Sequence, residues 1–299
     1  MCERRAILIV GGGPAGIAAA IQLKRHGYAP LILEEEMVGG LVRNANLVEN
    51  YPGFPDGIDG IALARLLAAH LDNAGIDAAV ESVRSLDFVN SEFAAATSTR
   101  TVVSRVAVVA TGTQPIKLNV STLAPNAASR IHYEIFHLLP VSGKIIAVVG
   151  AGDLAFDYAL NLGRSNRVVL LNRTDRVKAL PDLQRRLFEH PAITYSPNTE
   201  LTNVLPHPTG LSLECADRSG LRVLVVDHLV AAVGREPRLD FLSDRVWAQV
   251  AQLQEAGILY FVGDVAHPTE RQAGIAVGDG LRAAMLIHQS FQKEKQCVS

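Results

Sequence analysis

The chain has little cysteine, few aromatic residues and no excess of charge of either sign. Its three cysteines, Cys2, Cys215 and Cys297, are scattered over 299 residues, and no two form a CxxC pair. An odd, dispersed set excludes a disulfide scaffold and fits a reducing, cytoplasmic setting. The nine histidines include no HxxxH spacing, so a metal site has no sequence support. Lys and Arg number 28 against 30 Asp and Glu, a net charge of −2, which argues against nucleic acid as a partner. The most apolar runs, such as 145–149 and 225–233, are too short or too interrupted to cross a bilayer. A strand-like run already begins at residue 6, so no signal peptide is expected.

What is present is a set of glycines between an apolar strand and a small-residue helix. Residues 6–16 read Ala-Ile-Leu-Ile-Val-Gly-Gly-Gly-Pro-Ala-Gly. Five apolar residues predict a buried parallel strand. The helix should start near Pro14 and Ala15, where the missing proline N–H has no helical acceptor anyway. Gly11 permits the tight turn, Gly13 lets a pyrophosphate approach the backbone, and Gly16 lets the helix pack on the strand. Phosphates would face the free N–H groups and positive end of that helix. About 20 residues on, the run Leu31-Ile32-Leu33 ends at Glu34, an acid placed for a ribose diol.

Further along, GGLV at 39–42 and ENYPGFP at 49–55 read as loop, because paired glycines and two prolines break both periodicities. Residues 60–74 carry Leu63, Leu66, Leu67 and Leu71 on one helical face. Short strands are predicted at 78–83 and near Phe88 and Phe93, and a strong one at 102–110. A second unit of the same kind then begins. Residues 145–149 are a strand, Gly150-Ala151-Gly152-Asp153-Leu154-Ala155 the turn, 153–163 a helix and 167–171 the next strand. Ala155 takes the third glycine's place, which needs only a small side chain. This repeat predicts an α/β fold with two Rossmann-like dinucleotide-binding domains and two nucleotide cofactors. Residues 193–230 read as strands and turns, 231–237 as a crossing back, 258–262 as a strand ending at Gly263-Asp264, and 274–289 as a closing helix.

Together these landmarks resemble the low-molecular-weight thioredoxin reductase family, within the two-dinucleotide-domain flavoproteins. The residues that carry the resemblance are GGGPAG at 11–16, GGLV at 39–42, ENYPGFP at 49–55 and ATG at 110–112. GAGDLA at 150–155, VGREP at 233–237 and GDVAHPTERQA at 263–273 complete the set. The resemblance implies an FAD domain of residues 1–115 and 238–299, with an NAD(P)H domain of 116–237 inserted into it. It places Gly11, Gly13, Pro14, Ala15 and Gly16 on the FAD pyrophosphate, Glu34 on the ribose and the Val83 backbone on the adenine. Ala110, Thr111 and Gly112 belong to the same site. Gly40, Leu41 and Asn50 would lie along the flavin, and Gly263-Asp264 on the ribityl chain. Arg271, Gln272 and Ala273 would bring backbone N–H groups and a helix N-terminus to the flavin N1/O2 edge. Chemistry favours that placement, because reduced flavin carries negative charge there. For Asp264 a turn-capping role is the alternative, and for Asn50 an Asx-turn.

One departure matters for function. Members that reduce thioredoxin carry CxxC just before the second Gly-rich strand. Counting back from Gly150 without a gap, that stretch is here Tyr133-Glu134-Ile135-Phe136, followed by His137. With Tyr133 and Phe136 at the thiol positions, no internal dithiol can take electrons from flavin and exchange with a protein disulfide. Tyr133 is expected either to stack on the isoalloxazine or to fill the vacated volume. His132 and His137 are candidate proton donors, or simply surface or core histidines.

On the nicotinamide side, Gly150, Gly152, Asp153, Leu154, Gly234 and Arg235 are the expected contacts, with Asp153 alternatively an N-cap. The position of a ribose-binding acid is Asn172, and Arg173 and Lys178 follow. Basic residues there lean toward a 2′-phosphate, hence NADPH with NADH as the alternative. A solvated basic loop is the other explanation. The expectation is a homodimeric, cytoplasmic, FAD-dependent NAD(P)H oxidoreductase that passes electrons to an external acceptor, a small molecule or a redox protein. Two alternatives remain: a ferredoxin/flavodoxin–NADP reductase of the thioredoxin reductase-like type, and a flavin-binding sensor with little turnover.

Overall fold

Ile7, Leu8, Ile9 and Val10 are at most 4% exposed, as residues of a strand covered on both faces must be. They end β1 (Cys2–Val10), the centre of a seven-stranded sheet in the computed structural model, which describes residues 2–267 and 269–298. The sheet continues with β2 (Leu31–Glu34), β3 (Asp77–Val80), β4 (Ser85–Val89), β5 (Glu92–Ala96) and β6 (Thr101–Val109). Their order is β3-β2-β1-β6-β5-β4. Strands β1, β2, β3 and β6 run parallel, β4 and β5 are antiparallel, and a last strand, Leu259–Phe261, joins β6 in parallel.

Alternation along β1 sends Ile7 and Ile9 to one face and Leu8 and Val10 to the other. The first face packs on Ile17, Ala19, Ala20 and Leu23 of α1 (Pro14–Arg25), and on Ala283, Ala284 and Ile287 of the closing helix, Ala273–Val298. α2 (Gly60–Asn73) joins this layer through Leu71, and its N-cap Asp59 accepts from Ile61 N–H at 2.9 Å. The second face packs on Val246 and Leu253 of the helix Asp244–Glu255, capped by Ser243. These parts make one compact unit: the described residues up to Arg43, Leu47–Gln114, and those from Glu236 on.

The second compact unit is Asn44–Asn46 with Pro115–Arg235. Its core is a five-stranded parallel sheet. Strand β7 (Ile131–His132) is at one edge; β8 (Ile145–Val149), β9 (Arg167–Leu171) and β10 (Ile193–Ser196) lie beyond β11 (His228–Ala231), in the order β10-β9-β8-β11-β7. α3 (Asp153–Gly163) packs Phe156, Tyr158, Ala159 and Leu162 over Ile146, Val148 and Leu170, and α4 (Pro181–Phe188) adds Leu187. An antiparallel meander of Glu200–His207, Gly210–Asp217 and Gly220–Val226 buries Val204, Leu211, Leu213 and Cys215 against Ala147 and Leu229 of that sheet. Among the described residues no helix is long and apolar enough to cross a membrane, and no three metal-ligating side chains gather.

The helix read as 153–163 has those bounds, and the one read as 60–74 ends at Asn73. The closing helix runs past its expected end at 289 to Val298. Gly40–Asn44, expected to be irregular, forms a 3₁₀ turn, and a Val48–Ile58 bridge closes the ENYPGFP loop.

Candidate functional site

In the first unit the glycines of the turn divide into two kinds. Gly11 sits at φ +107° with Ala110 directly behind it, so any Cβ would collide with the Ala110 carbonyl. A Cβ on Gly16 would collide with the Gly11 carbonyl oxygen. These two are required by the fold itself. Gly13 is different: it has extended backbone (φ −82°, ψ −174°), and a Cβ there would meet only Gly40 Cα, at 3.8 Å. The space in front of Gly13 is open, and it lies at the N-terminus of α1, where Pro14 has no N–H and the first-turn N–H groups from Ala15 on have no acceptor within the helix. Gly40 closes the opposite side, since its own Cβ would stand 2.7 Å from Gly13 Cα. A cradle with a bare backbone at Gly13, a wall at Gly40 that admits no side chain, and a helix N-terminus beside it fits a pyrophosphate.

Around it, Gly11 N–H donates to Leu33 O at 2.8 Å and ties the turn to β2. Glu34 at the end of β2 accepts from the N–H of Gly12 at 2.7 Å and of Glu36 at 3.0 Å. Its carboxylate therefore already serves the turn, with lone pairs left for a diol. Its neighbours are each held elsewhere, Glu36 by Arg43 at 2.5 Å and Glu35 by Arg238. Val83 is buried beside Leu33. Ala110 N–H donates to Val10 O at 2.7 Å, Thr111 Oγ1 to Arg238 O at 2.7 Å, and Gly112 turns at φ +64°. Leu41 is half-exposed on the 3₁₀ turn. Asn50 Nδ2 donates to Gln272 Oε1 at 2.6 Å, so the ENYPGFP loop is joined to the start of the closing helix. Arg271 and Gln272 are exposed at that start, ahead of Ala273. Gly263 lies against α1, its Cβ position 2.9 Å from Ala15 Cβ, and Asp264 follows on the same turn.

The second unit repeats the geometry. Gly150 (φ +150°) is pressed against the Ala232 carbonyl, whereas a Cβ on Gly152 would meet nothing within 4 Å. Ala155 sits under Gly150, its Cβ 2.9 Å from where a Cβ on Gly150 would be. Asp153 is not the N-cap, which is Gly152. Its Oδ1 instead accepts the Leu180 N–H at 2.7 Å, and Lys178 N–H donates to Ala151 O at 2.8 Å. These two bonds fold the loop 172–180 back onto the Gly-rich turn. Arg173, Arg176 and Lys178 are exposed on that loop. Asn172 stands where an acid was expected and is buried: its amide donates to Arg176 O at 3.1 Å and Tyr195 Oη at 2.9 Å. It shapes the loop from inside. Leu154 is half-buried, and Gly234 (φ +140°) carries the Ile116 N–H on its carbonyl.

Arg235 is committed inside this unit, in an ion pair with Glu134, and its side chain is 9% exposed. Glu134 also accepts Tyr158 Oη–H at 2.7 Å and Asn44 Nδ2–H at 3.0 Å. Burial first, and then the Glu134 charge, push the Tyr158 hydroxyl well above its ordinary pKa, so it stays a donor. Asn44 Oδ1 in turn accepts the N–H groups of Ile135 and Phe136 at 3.0 and 2.8 Å. The segment 133–136 is thus pinned by a part-buried polar network centred on Glu134. Tyr133 accepts Leu118 N–H on its hydroxyl at 3.1 Å and holds the Lys117 ammonium 4.7 Å from its ring centroid. His137 is exposed, its ring edge-on to Phe136 at 5.3 Å.

His132 Nε2 and His228 Nδ1 are within hydrogen-bond distance, 3.2 Å apart. Burial, with smaller contributions from His228 and His137, brings His132 down to about 4, and burial lowers His228 as well. The unfolded chain therefore binds a proton near pH 6.5 that the folded chain refuses until about pH 4. Stability should fall as pH drops through that window, by roughly 1–2 kcal/mol after discounting for solvent access, and level off below it. His132→Gln keeps a partner for His228 and should shrink the loss of Tm between pH 7 and pH 4.5. An equal loss in the variant would remove the pair as its cause.

One Gly-rich strand–turn–helix cradle in each compact unit defines a two-nucleotide oxidoreductase fold. The pattern of the pyridine nucleotide-disulphide oxidoreductases matches residues 5–292. A thioredoxin reductase of Streptomyces clavuligerus is 31% identical over 304 residues, covering 95% of this chain and 93% of that protein. The 34.2 kDa protein of the Clostridium pasteurianum rubredoxin operon is 27% identical over 95% of this chain and 96% of its own. The crystal structure of Lactococcus lactis thioredoxin reductase superimposes with a TM-score of 0.84 at 25% identity, covering 97% of this chain and 99% of that one. The chain belongs to the pyridine nucleotide-disulphide oxidoreductase family. It is a thioredoxin reductase-like flavin oxidoreductase, of a family whose members bind FAD and NADPH.

Proposed function

We propose that the first unit holds FAD and the second holds NADPH, and that electrons leave for an external acceptor without passing through a disulfide of this chain. FAD, when bound, supplies the chemistry that takes two electrons from the nicotinamide and releases them to that acceptor. The chain's own residues position the parts. Gly13 and the α1 N-terminus receive the pyrophosphate, Glu34 the ribose and Asp264 the ribityl chain. Gly152 offers the same opening to the second dinucleotide. Arg173 and Lys178, folded onto that turn by the Lys178 and Leu180 N–H bonds, supply cations for a 2′-phosphate.

The observation that carries the exit by an external acceptor is the content of residues 133–136. An aromatic ring occupies each thiol position, and Glu134 and Asn44 hold the segment by its backbone and side chains. The acceptor is then a small molecule or a redox protein, and the assembly is a homodimer. Anaerobic mixing with NADPH should bleach the flavin rapidly, and a panel of acceptors should restore its colour. Failure to bleach would favour a flavin-binding protein with little turnover.

Cofactor choice has its own test. Arg173→Ala with Lys178→Ala should weaken NADPH by roughly 1–3 kcal/mol, as loss of charge-assisted contacts predicts, and NADH far less. Equal weakening of both nucleotides would reduce the loop to a solvated one.

A further inference from the structure

Asp279 lies near the second turn of the closing helix, beyond the cofactor contacts assigned above, and one of its oxygens serves two donors. Oδ2 accepts the Gly263 N–H at 3.0 Å and lies 2.8 Å from His267 Nε2. Gly263 opens the 3₁₀ turn Gly263–Val265, and His267 follows it. A single carboxylate oxygen therefore ties both ends of the stretch that carries Asp264.

That stretch has little room to shift. Gly263 is at φ +75°, and its Cβ position is 2.9 Å from Ala15 Cβ and 3.4 Å from Ala276 Cβ, so it is wedged between α1 and the closing helix. Gly280, next to Asp279, backs onto the same Ala15, where a Cβ would collide with the carbonyl oxygen. The helix that bears Asp279 is thus registered against the N-terminus of α1, where the pyrophosphate cradle lies. The Asp279 and His267 side chains are 24% and 37% exposed, sheltered enough for a charge-assisted bond to count.

We propose that Asp279 and His267 are positioning residues for the dinucleotide of the first unit. They staple the turn that presents Asp264, and their loss loosens FAD although neither is assigned a contact with it. The proposal rests on the reading of Asp264 as a ribityl contact.

The test is reconstitution of apoprotein with FAD, followed by flavin fluorescence and by the shape of the visible flavin band, with Asp264→Ala alongside. Asp279→Ala, which removes both bonds, should raise the FAD Kd about tenfold. Asp279→Asn keeps an acceptor for the Gly263 N–H and should restore most of the affinity and the wild-type band shape. His267→Gln leaves the Gly263 bond in place and should weaken FAD about threefold; it decides the matter if Asp279→Ala does not fold. The apoprotein Tm should stay within a few degrees of wild type. Wild-type affinity in the folded Asp279 and His267 variants, with Asp264→Ala weakened, overturns the staple alone. Wild-type affinity in Asp264→Ala overturns the ribityl assignment and the staple with it.

Discussion

Gly13→Val is expected to yield a folded protein without flavin. The backbone at Gly13 is extended, a conformation any L-residue adopts, and the nearest atom to a new Cβ is Gly40 Cα at 3.8 Å. The apoprotein therefore pays almost nothing for the side chain. The cofactor pays heavily, because a branched side chain stands where the pyrophosphate must meet the helix N-terminus. Affinity should fall by at least about 100-fold, or roughly 3 kcal/mol, enough to empty the site during purification. Gly16→Val, three residues on, should behave in the opposite way. Its Cβ collides with the Gly11 carbonyl, so the strand–turn–helix unit itself cannot form and soluble protein is lost. FAD content by absorbance and the apoprotein Tm separate the two outcomes. Stoichiometric flavin in Gly13→Val would move the pyrophosphate away from this turn.

That contrast also shows what the sequence could and could not disclose. The two Gly-rich turns, residues 6–10 of β1, β8 and the bounds of α3 were legible, because apolar runs and small residues act over a few neighbouring positions; the strand's first residues, from Cys2 on, are more exposed and carry no apolar run. α4 was not read: eight residues opened by Pro181 bury only Leu187 fully, too little for a period to show. The helix Asp244–Glu255 buries Val246 and Leu253 fully and Val250 in part, a stripe of three apolar residues on an otherwise largely polar or exposed segment. Glu134 was passed over for a different reason. Its partners Asn44, Tyr158 and Arg235 lie 90, 24 and 101 positions away, so no local pattern marks it. A charged residue between two apolar or aromatic ones was the available signal. Arg235, expected on the nucleotide, is held by that carboxylate. Asn172 was noticed as a missing acid, and the structure gives it work inside the loop.

Removal of every cysteine is expected to leave electron transfer intact. The two described thiols are badly placed to carry electrons. Cys215 is fully buried in the meander, and burial pushes its pKa up, so it stays a thiol and a poor nucleophile. Cys2 is exposed but is paired into β1 opposite Thr101, held in a ladder and not on a mobile arm. The Cys297 side chain lies outside the described residues, and Cys297→Ser tests it directly. Cys2→Ser is mild, but Cys215→Ala is preferable to Ser, because a buried unpaired hydroxyl costs about 1–3 kcal/mol. The triple variant should keep its FAD and reduce ferricyanide or a quinone with NADPH at nearly the wild-type rate. Wild type and variant alike should reduce thioredoxin no faster than free FAD does, since disulfide exchange needs a dithiol within reach of flavin and partner. Tyr133 and Phe136, fixed at those positions, cannot supply it. If the variant keeps FAD and fold but loses acceptor turnover, a distant thiol carries the electrons, and the segment 133–136 is not the reason this chain differs from the thioredoxin reductases it resembles.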